Sequence, residues 1–167
     1  YPLVEMAHSY YASFLEIMKR DDEAAEAYKS MLAINPKNNQ TWFSYMLLYF
    51  EKEDYETAIN IAEKGIEEAD DPFVLYYYKG IFYEIQQDYD NAIKTYNTAI
   101  SRFEEGDRLE FQSDFYVHLG DSYMRLEFKE EAFEAYEQAV TLNPENVLAL
   151  NNYAYYLSVE RQELDKA

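Results

Sequence analysis

The sequence predicts an all-α fold built from repeated helix pairs. Three observations carry that reading. Small and aromatic residues recur every 34 residues along the chain. Within a copy, apolar residues step by three and four, the period of one helix face. No segment alternates apolar and polar residues as a half-buried strand would.

The copies align on Gly80 and Gly120. Gly80 is followed by Tyr83, Ala92, Tyr96 and Ala99, and Gly120 by Tyr123, Ala132, Tyr136 and Ala139, at the same offsets of three, twelve, sixteen and nineteen. Stepping back 34 residues from Gly80 gives Met46, with Tyr49, Ala58, Ala62 and Gly65 at those offsets. Another 34 gives Ala12, with Leu15, Ala24, Tyr28 and Met31. A further copy opens with Tyr153, Ala154 and Leu157.

Each copy reads as two amphipathic helices joined by a short turn, most clearly around Gly120. Phe115, Leu119, Tyr123 and Leu126 form one helical stripe, and Ala132, Phe133, Tyr136, Ala139 and Val140 a second. Glu127-Phe128-Lys129-Glu130 breaks the pattern between them. Gly120 and Ala132 let the helices approach closely while Tyr123 and Tyr136 fill the space around the contact. Asn143-Pro144 ends the second helix, because proline lacks a backbone donor and restricts the residue before it. Ala12, Ala24, Ala58, Gly80, Ala92, Gly120 and Ala132 are therefore expected at buried helix contacts. One pair cannot bury both its faces, so the copies must stack.

These linked positions resemble the tetratricopeptide repeat (TPR), whose unit carries an aromatic, then Leu-Gly, Tyr, Ala, Phe or Tyr, Ala and Pro at set places. In that register units begin at Glu5, Asn39, Phe73, Ser113 and Val147, and the fourth position reads His8, Trp42, Tyr76, Tyr116 and Leu150. The resemblance covers 1–167 as a single array with repeats at 5–38, 39–72, 73–106, 113–146 and an incomplete 147–167. It implies an all-α, right-handed α-α superhelix, a TPR solenoid of about four and a half helix-turn-helix repeats. Pro36 and Pro144 close their units, Pro72 comes two positions late, and the third unit has no closing proline. Gly80 and Gly120 lie 40 apart, so six extra residues, 107–112, separate the third and fourth units. Gly106-Asp107 is a stop signal, after which a lengthened helix is expected. The alternative is an insertion that presents Leu109 or Phe111 to a partner.

In the family's geometry the first helix of each unit lines an inner groove through its second, fifth, ninth and twelfth positions. The resemblance thus implies a partner-binding surface at Ser9, Ser13 and Glu16, then Phe43, Leu47 and Phe50, then Tyr77, Ile81 and Glu84. Val117, Asp121 and Met124 follow in the fourth unit, and Asn151, Tyr155 and Ser158 in the fifth. Its middle is apolar and aromatic; its later part carries an acid and amides. One TPR subclass grips a peptide's terminal carboxylate with Lys, Asn and Arg, but here Ser9, Ser13, Val74 and Tyr78 stand in those places. Tyr28, Tyr83, Tyr96, Tyr123 and Tyr136 fall on the family's packing positions. The implied function is a non-catalytic scaffold that holds a peptide segment or partner helix in the groove. The alternative is a self-association module whose groove is filled by its own parent chain or another subunit. The stretch 151–157, with 163–167 after it, is similar to longer bacterial TPR arrays.

Composition narrows the partners. With 14 basic against 33 acidic residues the formal charge is −19, a field that repels nucleic acid and anionic membranes and attracts basic segments. No apolar run approaches the roughly 20 residues of a membrane span. There is no cysteine, hence no disulfide or thiolate site, which suits the cytosol and equally a bacterial periplasm or envelope. No cofactor or metal is called for. Asp114 and His118, four apart, share a helix face as an acid/base pair would, but Ser113 lies on a different face and no nucleophile elbow surrounds it. His118 reads better as a structural or groove-lining residue, and His8 as a core substitute. The clusters Asp21-Asp22-Glu23, Glu67-Glu68-Asp70-Asp71 and Glu104-Glu105-Asp107 lack the spaced oxygens of a calcium loop. They are expected to favour the dipole of the next helix. Both ends read as cut from a longer protein, so the parent is expected to continue through the fifth unit. Apolar surface left uncovered there would open faster over 147–167 than over 113–146, or dock against another copy as a homo-oligomer.

Overall fold

In the computed structural model the backbone is described for residues 2–104 and 106–164, and side chains for 7–104 and 106–159. Glu105 and the last three residues, Asp165, Lys166 and Ala167, lie outside, and with them part of the third acidic cluster and the end of the fifth unit. The described residues form nine α-helices and no strand. They are α1 (Pro2–Ile17), α2 (Asp21–Ile34), α3 (Asn39–Phe50), α4 (Tyr55–Glu68) and α5 (Phe73–Ile85). Then come α6 (Tyr89–Ile100), α7 (Leu109–Arg125), α8 (Lys129–Leu142) and α9 (Val147–Leu164). Two compact units, Tyr1–Lys79 and Gly80–Ala167, meet inside α5.

In the first unit α1 packs on α2, α2 on α3 and α3 on α4. Ala12, Ala24 and Ala58 are fully buried, as their repeat positions require. Trp42 is buried on α3, and its indole N–H donates to the Pro36 carbonyl at 2.7 Å, tying the aromatic position to the preceding turn. Gly65 leaves room for Leu75 and Trp42; a Cβ there would lie 2.5 Å from Leu75 Cδ1. His8 does not join this core. It is exposed, one turn before Ala12, the first buried residue among those described on α1.

The second unit repeats the same solution. Gly80 and Gly120 are buried, and a Cβ at either would meet a tyrosine ring, Tyr96 at 2.2 Å and Tyr136 at 2.5 Å. Tyr96 and Tyr136 are core, as is Tyr28 in the first unit, whereas Tyr83 and Tyr123 are only half-buried. The extra residues after Gly106 lengthen α7 to 17 residues, against 13 in α5. Phe111 is drawn inward, its ring 5.1 Å from Phe115, while Leu109 stays exposed.

Four turns between paired helices are built alike. Lys19, Glu53, Gln87 and Glu127 all have positive φ, from 57° to 63°, and all occupy the fifteenth position of their units. The next residue's N–H reaches back five residues, from Arg20, Asp54, Asp88 and Phe128 to the carbonyls of Leu15, Tyr49, Tyr83 and Tyr123. This is the Schellman closure, which needs a left-handed residue and usually takes glycine. None of the four is glycine, so their conformation is strained.

The acidic clusters do not all cap helices. Asp21, Asp22 and Glu23 occupy the first turn of α2 as expected. Glu67 and Glu68 instead close α4, and Asp70 pairs with Lys37 at 3.0 Å. Side-chain N-caps include Asn38, Asp54, Asp88 and Asn146, which accept from the N–H of Thr41, Thr57, Asn91 and Ala149. Cap geometry depends on where each turn ends, which charge clustering does not reveal.

Candidate functional site

The residues implied as partner-binding fall on both units, and each unit has its own chemistry. In the first, Ser9 and Ser13 are exposed on α1, and Glu16 accepts from the Tyr28 hydroxyl at 2.5 Å. On α3, Phe43, Leu47 and Phe50 are spaced four and three apart, so they form one half-buried stripe. The Phe43 ring lies 5.1 Å from Tyr78, and Tyr77 meets Tyr78 edge-on at 5.6 Å. This face is apolar with an aromatic end.

In the second unit the corresponding residues surround a cleft of about 630 Å³. Glu84 from α5, His118, Asp121, Ser122, Met124 and Arg125 from α7, and Asn152, Tyr155 and Tyr156 from α9 line it. Its floor is a pair of carboxylate networks. Glu84 accepts from Ser122 Oγ at 2.9 Å on one oxygen, and His118 Nδ1 lies 3.0 Å from the other. Asp121 Oδ1 accepts both from the Tyr136 hydroxyl at 2.7 Å and from Asn152 Nδ2 at 2.8 Å. The rim is apolar and open: Tyr155 is 65% exposed and Leu148 62%.

Four of the implied residues sit apart from this cleft or add no surface to it. Val117 is buried against Ala139 and Ala149 and serves the core. Asn151 is exposed but does not line the cleft, nor does half-buried Ile81. Ser158 is spent on the Tyr155 carbonyl at 2.7 Å. The register passed over Ser122, Arg125, Tyr136, Asn152 and Tyr156. One signal was available: His118 and Asn152 share the sixth position of their units, one turn from the second.

Burial governs the electrostatics. It raises the Asp121 carboxyl above its ordinary range, and the Tyr136 hydrogen bond and nearby His118 only partly offset this. Burial, reinforced by the bond to Asp121, also raises the Tyr136 phenol. Asp114 is raised by burial too, against a 3.0 Å bond from Asn146 Nδ2.

The floor is not arranged as a Ser-His-acid triad. A serine nucleophile needs an imidazole between hydroxyl and carboxylate. Here Glu84 stands in the middle and takes the Ser122 proton donor directly, so the carboxylate orients Ser122 and His118. Among the described residues, no three His, Cys, Asp or Glu converge to hold a metal ion. No helix among them is long and apolar enough to cross a membrane.

The chain belongs to the tetratricopeptide repeat family, whose model matches residues 9–167. A TPR repeat-containing protein of Methanocaldococcus jannaschii is 28% identical over 164 residues, covering 94% of this chain and 27% of that protein. The chain thus spans about a quarter of that relative. The crystal structure of MamA superimposes with a TM-score of 0.72 at 21% identity, covering 99% of this chain and 88% of that one. The first TPR of Spaghetti (RPAP3), bound to an HSP90 peptide, superimposes with a TM-score of 0.61 at 23% identity, covering 74% of this chain and 96% of that one. These likenesses fix the fold.

Proposed function

We propose that this TPR array is a non-catalytic scaffold that holds a peptide segment or a partner helix on the faces formed by the first helix of each repeat. The cleft of the second unit carries the reading. A hydrogen-bonded polar floor fixes the walls, and exposed Tyr155 and Leu148 stand at the rim with large contact area and little to pack against. Tyrosine at such a place anchors partners at small entropic cost. The α3 stripe of Phe43, Leu47 and Phe50, with Tyr77, offers a second, apolar anchor. Peptide binding by the Spaghetti (RPAP3) domain supports this class of partner.

The test is selection of a displayed random peptide library against the chain. Selected peptides are expected to lose at least tenfold in affinity for Tyr155→Ala, or for Phe43→Ala with Tyr77→Ala. The far-ultraviolet helical signal should be kept in each variant. Unchanged affinity in all of them would mean that partners use another surface.

A second reading is favoured by α9. Leu150, Ala154 and Leu157 hold the positions that Tyr116, Gly120 and Tyr123 hold on α7, yet they are exposed. Such a stripe suits a further helix of a longer chain or another copy. Light-scattering mass that rises with concentration, and falls back in Leu157→Glu, would support self-association.

A further inference from the structure

We infer that the cleft of the second unit selects a cationic group, the ammonium of a lysine or the guanidinium of an arginine on the bound segment. The inference rests on the peptide-holding reading above and adds the chemistry of the ligand.

Three observations meet in one place. First, both hydrogen bonds to Asp121 within the described residues end on Oδ1. They pin the carboxylate in position and leave Oδ2 to an incoming donor. Second, the formal charges of the lining are Glu84 and Asp121 against Arg125, one negative charge in excess when His118 is neutral. Arg125 is exposed and solvated, whereas Asp121 is partly withdrawn from water, so the carboxylate acts on a ligand through a lower dielectric. Third, Tyr89, Tyr155 and Tyr156 bring aromatic rings to the same cleft, and rings attract cations over their faces. The ligand's aliphatic stem would lie along Met124 and Leu148 with its charged end at the floor.

The molecule's charge of −19 complicates any test, because such a field draws basic peptides to every face. Removing one charge from nineteen scarcely alters that field, whereas removing the one that touches the ligand alters binding strongly. Charge-matched variants therefore separate the two. Asp121→Asn keeps a side-chain oxygen for Tyr136 and Asn152, and Glu134→Gln removes one charge from an exposed residue that does not line this cleft.

Random dodecapeptides displayed on phage are selected in parallel against the wild-type chain, Asp121→Asn and Glu134→Gln at physiological salt. Wild type and Glu134→Gln are expected to enrich Lys or Arg at one position beside an aliphatic or aromatic residue. Asp121→Asn is expected to lose that enrichment. A synthetic peptide so selected should bind Asp121→Asn at least tenfold more weakly than wild type, and should lose as much when its basic residue becomes norleucine. Peptides that need Tyr155 yet carry no basic position, or whose basic position survives Asp121→Asn, would overturn the cation and leave the scaffold reading standing. Peptides indifferent to Tyr155 but dependent on Phe43 and Tyr77 would likewise overturn the cation alone, and peptides indifferent to all three, or no enrichment at all, would overturn both.

Discussion

The α3 face of the first unit and the α7 face of the second occupy the same places in their repeats and carry opposite chemistry. Phe43, Leu47 and Phe50 give α3 an apolar stripe backed by rings. At the ninth position Asp121 replaces Leu47, and the second unit builds a hydrogen-bonded network around it. The packing behind the two faces also differs: Met46 and Ala62 stand behind α3 at the repeat positions that Gly120 and Tyr136 hold behind α7. Tyr28 donates to Glu16, and Tyr136, at the same repeat position, donates to Asp121. One scaffold therefore accepts very different surfaces, because the residues that hold helices together and those left facing outward lie on different stripes of the same helix.

The largest expected effect separates the cores behind the two faces. Gly120→Leu drives a side chain into the Tyr136 ring, and Gly65→Leu meets first the flexible end of Leu75 and then, less closely, the base of the Trp42 side chain. Overpacking costs about 1–3 kcal/mol, with Gly120→Leu at the upper end and Gly65→Leu at the lower. Urea unfolding checks this. Equal losses would show that the ring behind the polar face is no more rigid than the leucine behind the apolar one.

Next come the paired tyrosines. Tyr136→Phe removes one of two donors from a partly buried carboxylate, at about 1.5–3 kcal/mol for a hydrogen bond to a charged group. Tyr28→Phe makes the same change at Glu16, and a smaller loss is expected because Glu16 lies in the last turn of α1 beside exposed Ile17 and Met18, where water can replace the lost donor. A larger loss in Tyr28→Phe would break the contrast between the faces.

The four left-handed turn residues predict a gain shared by both regions. Glu53→Gly and Glu127→Gly remove the strain of a side chain at positive φ and should each stabilise the chain by about 0.5–1 kcal/mol, after the entropy of glycine in the unfolded chain is offset. Thermal unfolding reads it; a loss at either site would mean the side chain contributes more than the strain costs.

The smallest effect is in pH. Burial raises the folded-state value of Asp121 above its unfolded one, so the folded chain holds a proton where the unfolded chain has released it. Stability from this site is present below the ordinary aspartate range and is lost as pH rises through the raised value. Asp121→Asn should flatten the dependence of Tm on pH in that window, and an unchanged dependence would show that Asp121 does not supply it.

Much of this was legible in the sequence. The 34-residue spacing placed Gly80 and Gly120 at helix contacts, since only a residue without a Cβ lets Tyr96 and Tyr136 come so near. Pro36 and Pro144 marked the ends of α2 and α8 because proline chemistry is local. The candidate site was less legible. The register put Val117 on a partner surface, but α9 and α8 cover it. It paired Asp114 with His118 along one helix, while Glu84 from another helix approaches His118 from 34 residues away.

The sequence by itself determined the all-α repeat and the small residues that pack helix on helix, because periodicity and side-chain size act within a turn or two of the chain. Only the tertiary structure decided which stripe of each first helix is covered, which carboxylate meets which donor, and which turn residues adopt positive φ. Lys19, Glu53, Gln87 and Glu127 have nothing in their side chains that asks for a left-handed backbone. They take it because two packed helices must be closed within a few residues, and the packing energy outweighs the local strain.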